Sequence, residues 1–334
     1  KLTISVSETD NVSANAEIAI ECNPADIDLA YISAITALGF NRISLGIQDF
    51  DAAVLQAVHR NVPTISIEAF VETIKTANAY VNFDFIYGLP LQTPQQFKRT
   101  IEQAIALQPD RLVTFSYAHV PSVKPHQKHL EQHAMPTAHN KLEMLTNTLQ
   151  CMQQAGYTSI GFDHFAKPAD SLSVAKKNRT LHRNFQGYCT RETTGQVFAF
   201  GASGITQLAD SYFQNVKDIQ TYTQNIASQF VAPHVGYCLS HDEIITAAVI
   251  EYILCNESLN WQAIAVNIGE AEHTVRALFP NYMELCQEFQ RDGLLEFSQY
   301  GFDVTLPGKF FLRNIAAAFD SQFVNGSKIF SKTI

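Results

Sequence analysis

The sequence lacks the features of a membrane protein and of a general nucleic-acid binder. None of its apolar runs approaches the length of a membrane span, and its net charge is −9. A surplus of acidic groups argues against general affinity for nucleic acid or anionic membranes, so neither is expected as a partner. With no recognisable secretory signal, we expect a cytoplasmic protein whose partners are small molecules or proteins.

Closely spaced cysteine pairs are also missing. The six cysteines stand at positions 22, 151, 189, 238, 255 and 286. Without Cys-x2-Cys spacing, neither a disulfide framework nor a structural metal site is expected. The 334 residues and the hydrophobic content of 46% are enough for one large α/β domain and a smaller one.

Strand-like and helix-like segments alternate through the first part of the chain. The strand-like segments are Glu17–Glu21, Arg42–Ile47, Phe83–Tyr87 and Arg111–Tyr117. Strands that alternate with helices predict right-handed βαβ units and a parallel sheet or barrel. Four strands do not close a barrel, so either later strands complete it or earlier ones are missing.

Polar residues occur where these strands end. They are Glu21, Gln48, Asp84 and the pair Ala118-His119. In parallel barrels the loops after the strand ends build the active site, so we expect these residues on one rim. Asp84 stands inside the run NFDFIYGLP, whose aromatic and β-branched residues predict a strand buried on both faces. A carboxylate in such a strand needs a partner or a cavity. A structural Asp that binds a turn or a buried Arg is the alternative.

Further polar segments follow the fourth strand. Residues 119–139 contain five histidines without tight metal spacing, which favours a surface loop or lid over a metal site. Thr158–Asp163 and Val197–Phe200 are predicted as strands, and the second leads into a small-residue turn that ends at Ile205. Leu181–Tyr188, LHRNFQGY, mixes cations and rings in a way that suits an anionic ligand, although a solvated loop has the same composition.

The pattern changes near Gln229, after which helices dominate. Asp242–Leu254 and Ala271–Gln290 are predicted helices, a hairpin surrounds residues 299–301, and a last helix starts at Pro307. We predict a polar lead-in over residues 1–16, an α/β domain over 17–228 and a mainly helical, winged-helix-like domain over 229–334. Because this last part is not basic, it is expected to cover a substrate site and not to bind DNA.

Six motifs in series resemble one enzyme family. EIAIECNP, GFNRISLGIQDF, NFDFIYGLPLQT, RLVTFSYAHVP, GFDHFAKP and LHRNFQGY resemble the oxygen-independent coproporphyrinogen III oxidases of the radical S-adenosylmethionine (SAM) superfamily. The resemblance implies a partial (β/α) barrel, a [4Fe–4S] cluster and two SAM molecules. It also implies oxidative decarboxylation of two propionates of coproporphyrinogen III to vinyl groups, which gives protoporphyrinogen IX. A flavodoxin-type electron donor is the implied protein partner.

The resemblance assigns roles motif by motif. The positions implied to contact SAM are Glu21, Gln48, Arg60, Asp84, Ala118 and Ile205. Phe185 and Gln186 are implied active-site residues. From charge type alone, we further expect His119, His164, His182 and Arg183 to meet propionates of the substrate.

One departure concerns the cluster. The Cys-x3-Cys-x2-Cys loop of the family is absent, and no residue of this chain is predicted to bind a metal. We expect that loop upstream, together with the first two strands of the barrel, and expect the chain as given neither to assemble the cluster nor to cleave SAM.

Two other interpretations remain open at this point. The related haem chaperones are one, although their HNxxYW-type signature is absent here. A non-catalytic remnant that binds a porphyrin or a nucleotide is the other.

Overall fold

The computed structural model of the protein describes residues 12–13, 15–191, 195–229 and 231–320. These residues form two compact units. The first unit contains the described residues up to Ser159 together with Asp163–Ser173, and the second contains Ile160–Phe162 and the described residues from Val174 onward. The domain boundary predicted after residue 228 stays a prediction, and most of the predicted lead-in over residues 1–16 lies outside the described residues.

The first unit is built on four parallel strands. They are β1 (Ala19–Cys22), β2 (Arg42–Gln48), β3 (Tyr80–Tyr87) and β4 (Arg111–Ser116), which pair in that order. The connecting helices are Leu29–Ala37, Ala52–Ala57, Ile67–Thr76 and Pro94–Ala106. The predicted alternation of parallel strands and helices is therefore confirmed.

The helix Pro94–Ala106 shows how local sequence sets these elements. The hydroxyl of Thr93 accepts a hydrogen bond of 3.2 Å from the backbone N–H of Gln96, and Pro94 takes the first helical position. The apolar side chains that recur along the helix, such as Phe97 and Ile101, are fully buried. The cap determines where the helix begins. The buried apolar stripe determines which face of the helix packs against the core.

β3 has two different faces. Val81, Phe83, Phe85 and Tyr87 are buried, whereas the three positions between them are half-buried. The sequence suggested a strand buried on both faces, and this expectation is wrong because the strand follows the two-residue repeat of a one-sided sheet. Asp84 therefore lies on the face opposite the phenylalanines.

The segment predicted as one strand, Thr158–Asp163, is divided in two. β5 (Thr158–Ile160) and β6 (His164–Ala166) extend the sheet to the order β1-β2-β3-β4-β6-β5, and β6 runs antiparallel to β4. Gly161, between them, has a φ of +58°, a conformation that side chains other than glycine rarely adopt. The turn at this glycine ends the strand early.

Three further helical segments complete this part of the chain. They are a 3-10 helix at Pro125–Gln132 and α-helices at Ala138–Gln154 and Ser171–Asn178. In the part of the chain that the structure describes, no helix is long and apolar enough to span a bilayer.

The second unit contains three small antiparallel sheets. β7 (Leu181–Asn184) pairs with β8 (Gly187–Thr190), and β10 (Ser211–Asn215) lies between β9 (Ile205–Gln207) and β11 (Pro233–Cys238). β14 (Gly301–Val304) lies between β12 (Ser258–Asn260) and β13 (Leu295–Ser298). The helices are Ile219–Gln229, His241–Asn256, Trp261–Ile268, Glu272–Ala277, Tyr282–Leu285, Gln287–Arg291 and Leu312–Ala317, the last preceded by a 3-10 turn at Pro307–Phe311.

Two sequence predictions fail in the second unit and one is confirmed. Val197–Phe200 is not a strand, because only Val197 forms a bridge, to Gln207. Ala271–Gln290 is not one helix but three short ones, interrupted near Pro280, which lacks the N–H that a continuous helix needs. The hairpin of β13 and β14 is confirmed.

A buried ion network lies at the amino-terminal ends of the parallel strands. Both guanidinium groups, of Arg42 at the start of β2 and of Arg111 at the start of β4, contact Asp170, at 3.1 and 2.9 Å. Both also contact Glu17, at 2.9 Å in each case. Burial opposes the charged form of Glu17, but the two arginines hold its pKa below its usual value. The network ties two strands that are not neighbours to the same two acids.

We expect Asp170→Asn to lower the free energy of unfolding by about 3 kcal/mol, because two buried arginines lose the buried one of the two carboxylates that they share. Urea unfolding followed by circular dichroism measures this change. Glu102→Gln is the matched control, since Glu102 forms an exposed i,i+4 pair with Lys98, and such pairs contribute little to stability. Equal effects of the two substitutions would contradict a structural role for the buried network.

Candidate active site

A row of polar side chains crosses one face of the parallel sheet. The pairing register sets Glu21 beside Ser44 and Ser44 beside Asn82. Two residues after Asn82 on β3, Asp84 lies beside Val113 of β4. Val113 in turn lies beside His164 of β6. Because laterally paired residues point to the same side of a sheet, Glu21, Ser44, Asp84 and His164 share one face.

Asp84 is held on this face by two neutral donors. The hydroxyl of Ser44 donates to Oδ2 at 2.6 Å, and the amide of Asn82 donates to Oδ1 at 3.0 Å. Burial raises the pKa of Asp84, the two hydrogen bonds oppose that rise, and the nearby carboxylate of Glu21 adds to it. Oδ1 of Asn82 is itself buried without a hydrogen-bond partner among the described residues. The row therefore contains an acceptor that a bound ligand can satisfy.

His164 has a carboxylate partner of its own. Its Nδ1 lies 2.5 Å from Oδ1 of Asp163, and Asp163 is fixed because its backbone carbonyl accepts the N–H of Thr114. A carboxylate at one ring nitrogen orients the imidazole and fixes its tautomer. The sequence singled out His164 but not Asp163.

A cavity of about 440 Å³ opens at the carboxyl-terminal ends of the same strands. Gln48, Arg60, Ile86 and Tyr117 are among the residues that line it. Nη2 of Arg60 donates to Oδ1 of Asn23 at 2.9 Å and to the carbonyl of Gly46 at 2.8 Å, which aims the guanidinium along the strand ends. Cavities of this size suit small-molecule ligands.

The histidine-rich segment borders this cavity. His126 and His129 of the 3-10 helix line it, and Leu130 is buried. Among the described residues no group of His, Cys, Asp and Glu side chains is arranged to bind a metal ion. The segment thus contributes a wall of the cavity.

Two predicted residues at the end of β4 have partners in that segment. The carbonyl of Ala118 accepts from Nε2 of Gln127 at 3.0 Å. Nε2 of His119 lies 3.0 Å from Glu131, while its Nδ1 is buried and unpaired within the described residues. Neither residue is among those that line the cavity.

Phe185 and Gln186 occupy the tip of the β7–β8 hairpin in the second unit. Oδ1 of Asn184 accepts the backbone N–H groups of Gln186 and Gly187, at 2.9 and 3.2 Å, and so closes the turn. Phe185 remains 48% exposed. The turn presents both predicted active-site residues to solvent.

The other predicted residues of the second unit differ in how far their side chains are already bound by protein groups. His182 is buried, with Nδ1 2.5 Å from Glu251 and Nε2 3.1 Å from the carbonyl of Gly195, so both ring nitrogens have protein partners. Ile205 is half-buried at the start of β9. Arg183 packs against the rings of Phe162 and Tyr188. Of these residues, Arg183 has the charge least engaged by protein groups.

Comparison with known proteins gives a consistent family. Residues 2–104 match the model of the radical SAM superfamily. The chain is 39% identical over 328 residues to the oxygen-independent coproporphyrinogen III oxidase of Synechocystis sp. (strain ATCC 27184 / PCC 6803 / Kazusa), with 97% of this chain and 70% of the relative covered. It is 36% identical over 339 residues to the Salmonella typhimurium enzyme of the same name, with 100% of this chain and 73% of the relative covered.

A solved structure agrees with these relatives. The radical SAM enzyme coproporphyrinogen III oxidase from Escherichia coli superposes with a TM-score of 0.88 and 36% identity, over 96% of this chain and 73% of that one. This chain belongs to the family of oxygen-independent coproporphyrinogen III oxidases. The resemblance drawn from the six motifs is confirmed, and so is the fold class, a radical SAM α/β fold with a helical C-terminal region.

The residues present fit one cofactor of the oxidase family and not the other. For SAM, the cavity has a guanidinium and an amide at strand ends, and the adjoining row has an unsatisfied buried acceptor. For the [4Fe–4S] cluster, four of the six cysteines are buried, and the sequence has no closely spaced set of three. These cysteines therefore do not provide a cluster site.

Sequence reasoning missed several residues that contact the candidate residues of each unit. Ser44 and Asn82 support Asp84, and Asp163 orients His164. Arg313, which packs on Phe162, was also missed. Asp163 stands directly before His164, and this adjacency was the one local signal available.

We expect Asp84→Asn to stabilise the fold at neutral pH. A carboxylate whose folded pKa is raised binds its proton more tightly when folded, so its contribution to stability falls as pH rises above the ordinary value of 3.8. The asparagine has no charge to bury, so the free energy of unfolding of the variant exceeds that of wild type by more as pH rises. The difference vanishes at acid pH, where Asp84 is protonated. Thermal unfolding between pH 3.5 and pH 8, with exposed Glu72→Gln as control, measures the difference. A variant less stable than wild type at pH 8 would contradict this account.

Proposed function

We propose that this protein carries out the oxidative decarboxylation of two propionates of coproporphyrinogen III, which gives protoporphyrinogen IX in haem biosynthesis. The observation that carries the proposal is the relation to coproporphyrinogen III oxidases across nearly the whole chain. At each reacting side chain the propionate loses one hydrogen atom from its β-carbon, one electron and carbon dioxide, and a vinyl group remains.

SAM supplies the hydrogen-atom acceptor for this reaction when it is bound. We propose two bound SAM molecules. The proposed SAM-contacting positions are Glu21, Gln48, Arg60, Asp84 and Ala118 of the first unit and, separately, Ile205 of the second. Arg60 suits the carboxylate of SAM, and Asp84 suits its hydroxyl or ammonium donors. Support comes from the position of Gln48 and Arg60 in one cavity and of Glu21 beside Asp84 on one face.

The substrate is proposed to be held by charge and by shape. Arg183 and the oriented imidazole of His164 are suited to propionate carboxylates. His119, whose Nδ1 has no hydrogen-bond partner among the described residues, is also proposed to meet a propionate. Both ring nitrogens of His182 have partners within the protein, so His182 is proposed to support the hairpin. Phe185 and Gln186 are proposed to contact the reacting region from the hairpin tip. None of these groups needs to act as a nucleophile.

The proposed setting follows from the same chemistry. One electron must be supplied for each hydrogen abstraction, and a flavodoxin-type protein is the proposed donor. We also propose a cytoplasmic location without a nucleic-acid or membrane partner, consistent with the net charge of −9.

The activity is tested with protein expressed from the complete gene, reconstituted anaerobically with iron and sulfide and given SAM, dithionite and coproporphyrinogen III. We expect protoporphyrinogen IX together with 5′-deoxyadenosine, both resolved by liquid chromatography. Haem binding and transfer without formation of vinyl groups would instead assign the protein to the chaperone branch.

We expect Arg60→Gln to weaken SAM binding by about tenfold, since a hydrogen-bonded charge contributes roughly 1.5–3 kcal/mol. Isothermal titration of this chain with SAM measures the affinity without need for turnover. Arg99→Gln, which removes an exposed arginine in the same unit, serves as the control and is expected to bind like wild type. An affinity of Arg60→Gln equal to that of the control would place Arg60 outside the SAM site.

A further inference from the structure

Arg183 has an unusual setting in the second unit. It stands on β7 directly opposite Tyr188 on β8. Its guanidinium carbon lies 5.3 Å from the centre of the Tyr188 ring and 5.4 Å from that of Phe162. Rings at these distances attract a cation without neutralising it. The rings fix the side chain, and its N–H groups remain as hydrogen-bond donors.

Arg313 approaches the same phenylalanine. Its guanidinium carbon lies 5.5 Å from the centre of the Phe162 ring, and its side chain is exposed at the start of the helix Leu312–Ala317. Phe162, Arg183 and Arg313 all belong to the second unit. Two cations therefore share one aromatic ring within a single compact unit.

The carboxylates of the surrounding elements already have other partners. Glu251 contacts Arg191 at 2.9 Å and His182 at 2.5 Å. Glu257 contacts Lys309 at 2.6 Å and also Lys176. Within residues 15–191, 195–229 and 231–320, neither Arg183 nor Arg313 forms an ion pair, and Nε of Arg183 is buried without a hydrogen-bond partner. Two arginines that contact the same phenylalanine ring and lack a carboxylate partner among the described residues can bind an anion together.

We infer that Arg183 and Arg313 form a carboxylate-binding pair for the propionates of the tetrapyrrole that are not decarboxylated. This inference rests on the proposed function, because it takes a tetrapyrrole carboxylate as the ligand. Guanidinium matches a carboxylate with two parallel hydrogen bonds, and a side chain already fixed by rings loses little entropy on binding.

The assignment to the unreactive propionates follows from charge balance. A reacting propionate leaves as neutral carbon dioxide, so an arginine paired with it would lose its counter-ion as the bond breaks. Such pairing stabilises the carboxylate before the reaction more than afterwards, which raises the barrier. A propionate that keeps its charge throughout can be held tightly at no such cost. Two of the four propionates of coproporphyrinogen III meet this condition.

Two stable porphyrins allow binding through the reacting propionates to be distinguished from binding through the unreactive ones. Coproporphyrin III carries all four, whereas mesoporphyrin IX carries only the two that the reaction leaves in place. Binding of each to this chain is followed by fluorescence titration, for wild type, Arg183→Gln and Arg313→Gln. We expect each variant to lose about tenfold in affinity, by the same factor for both porphyrins, as is typical when a charged hydrogen-bond donor is removed. Mesoporphyrin IX dimethyl ester should bind all three proteins equally.

The matched control is Arg276→Gln, which removes an exposed arginine of the second unit that pairs only with Glu272 among the described residues. Arg313→Gln changes an exposed side chain, so its test does not depend on the packing of Arg183. A loss confined to coproporphyrin III, or an equal loss in Arg276→Gln, would overturn the inference. The inference would also be overturned if Arg183→Gln and Arg313→Gln both bound the porphyrins with wild-type affinity. If wild-type protein bound neither acid, the proposed substrate class would itself be wrong.

Discussion

The two-residue repeat of β3 puts Asp84 and Phe85 on opposite faces of the parallel sheet. The rest of the first unit depends on this alternation. One face of β3 carries buried apolar side chains, and the other collects Asp84 with the polar positions of its neighbouring strands. A shift by one residue would exchange the two faces and bury the carboxylate among phenylalanines, at the large cost of an unpaired buried charge.

The ion network at the other end of the strands holds the same register. Arg42 and Arg111 both contact Asp170, although β3 lies between their two strands. If either β2 or β4 slipped by one residue, its arginine would point to the apolar face and leave the shared acid. The network therefore opposes the register errors that would dismantle the polar row. Stability at one end of the sheet and chemistry at the other are linked through strand register.

The sequence was informative where the signal is local. Strand ends, the Thr93-Pro94 helix start and the polar residues after strands could all be read from short segments, because alternation and capping act over a few residues. Partners brought together by the fold could not. Ser44 stands 40 residues before Asp84, and Glu251 stands 69 residues after His182. Charge type alone made His182 a substrate candidate, whereas its environment in the fold gives both nitrogens to the protein.

The kind of support that each charge receives separates structural groups from binding groups. Asp170 and Glu251 form ion pairs with arginines, so their negative charges are neutralised within the protein. Asp84 is supported by the neutral donors Ser44 and Asn82, and Arg183 is supported by two rings. Neutral support fixes a charged group in place and leaves its charge uncompensated, so that a ligand of opposite charge gains the full interaction. This distinction depends on neighbours far apart in the sequence, which is why residue type did not reveal it.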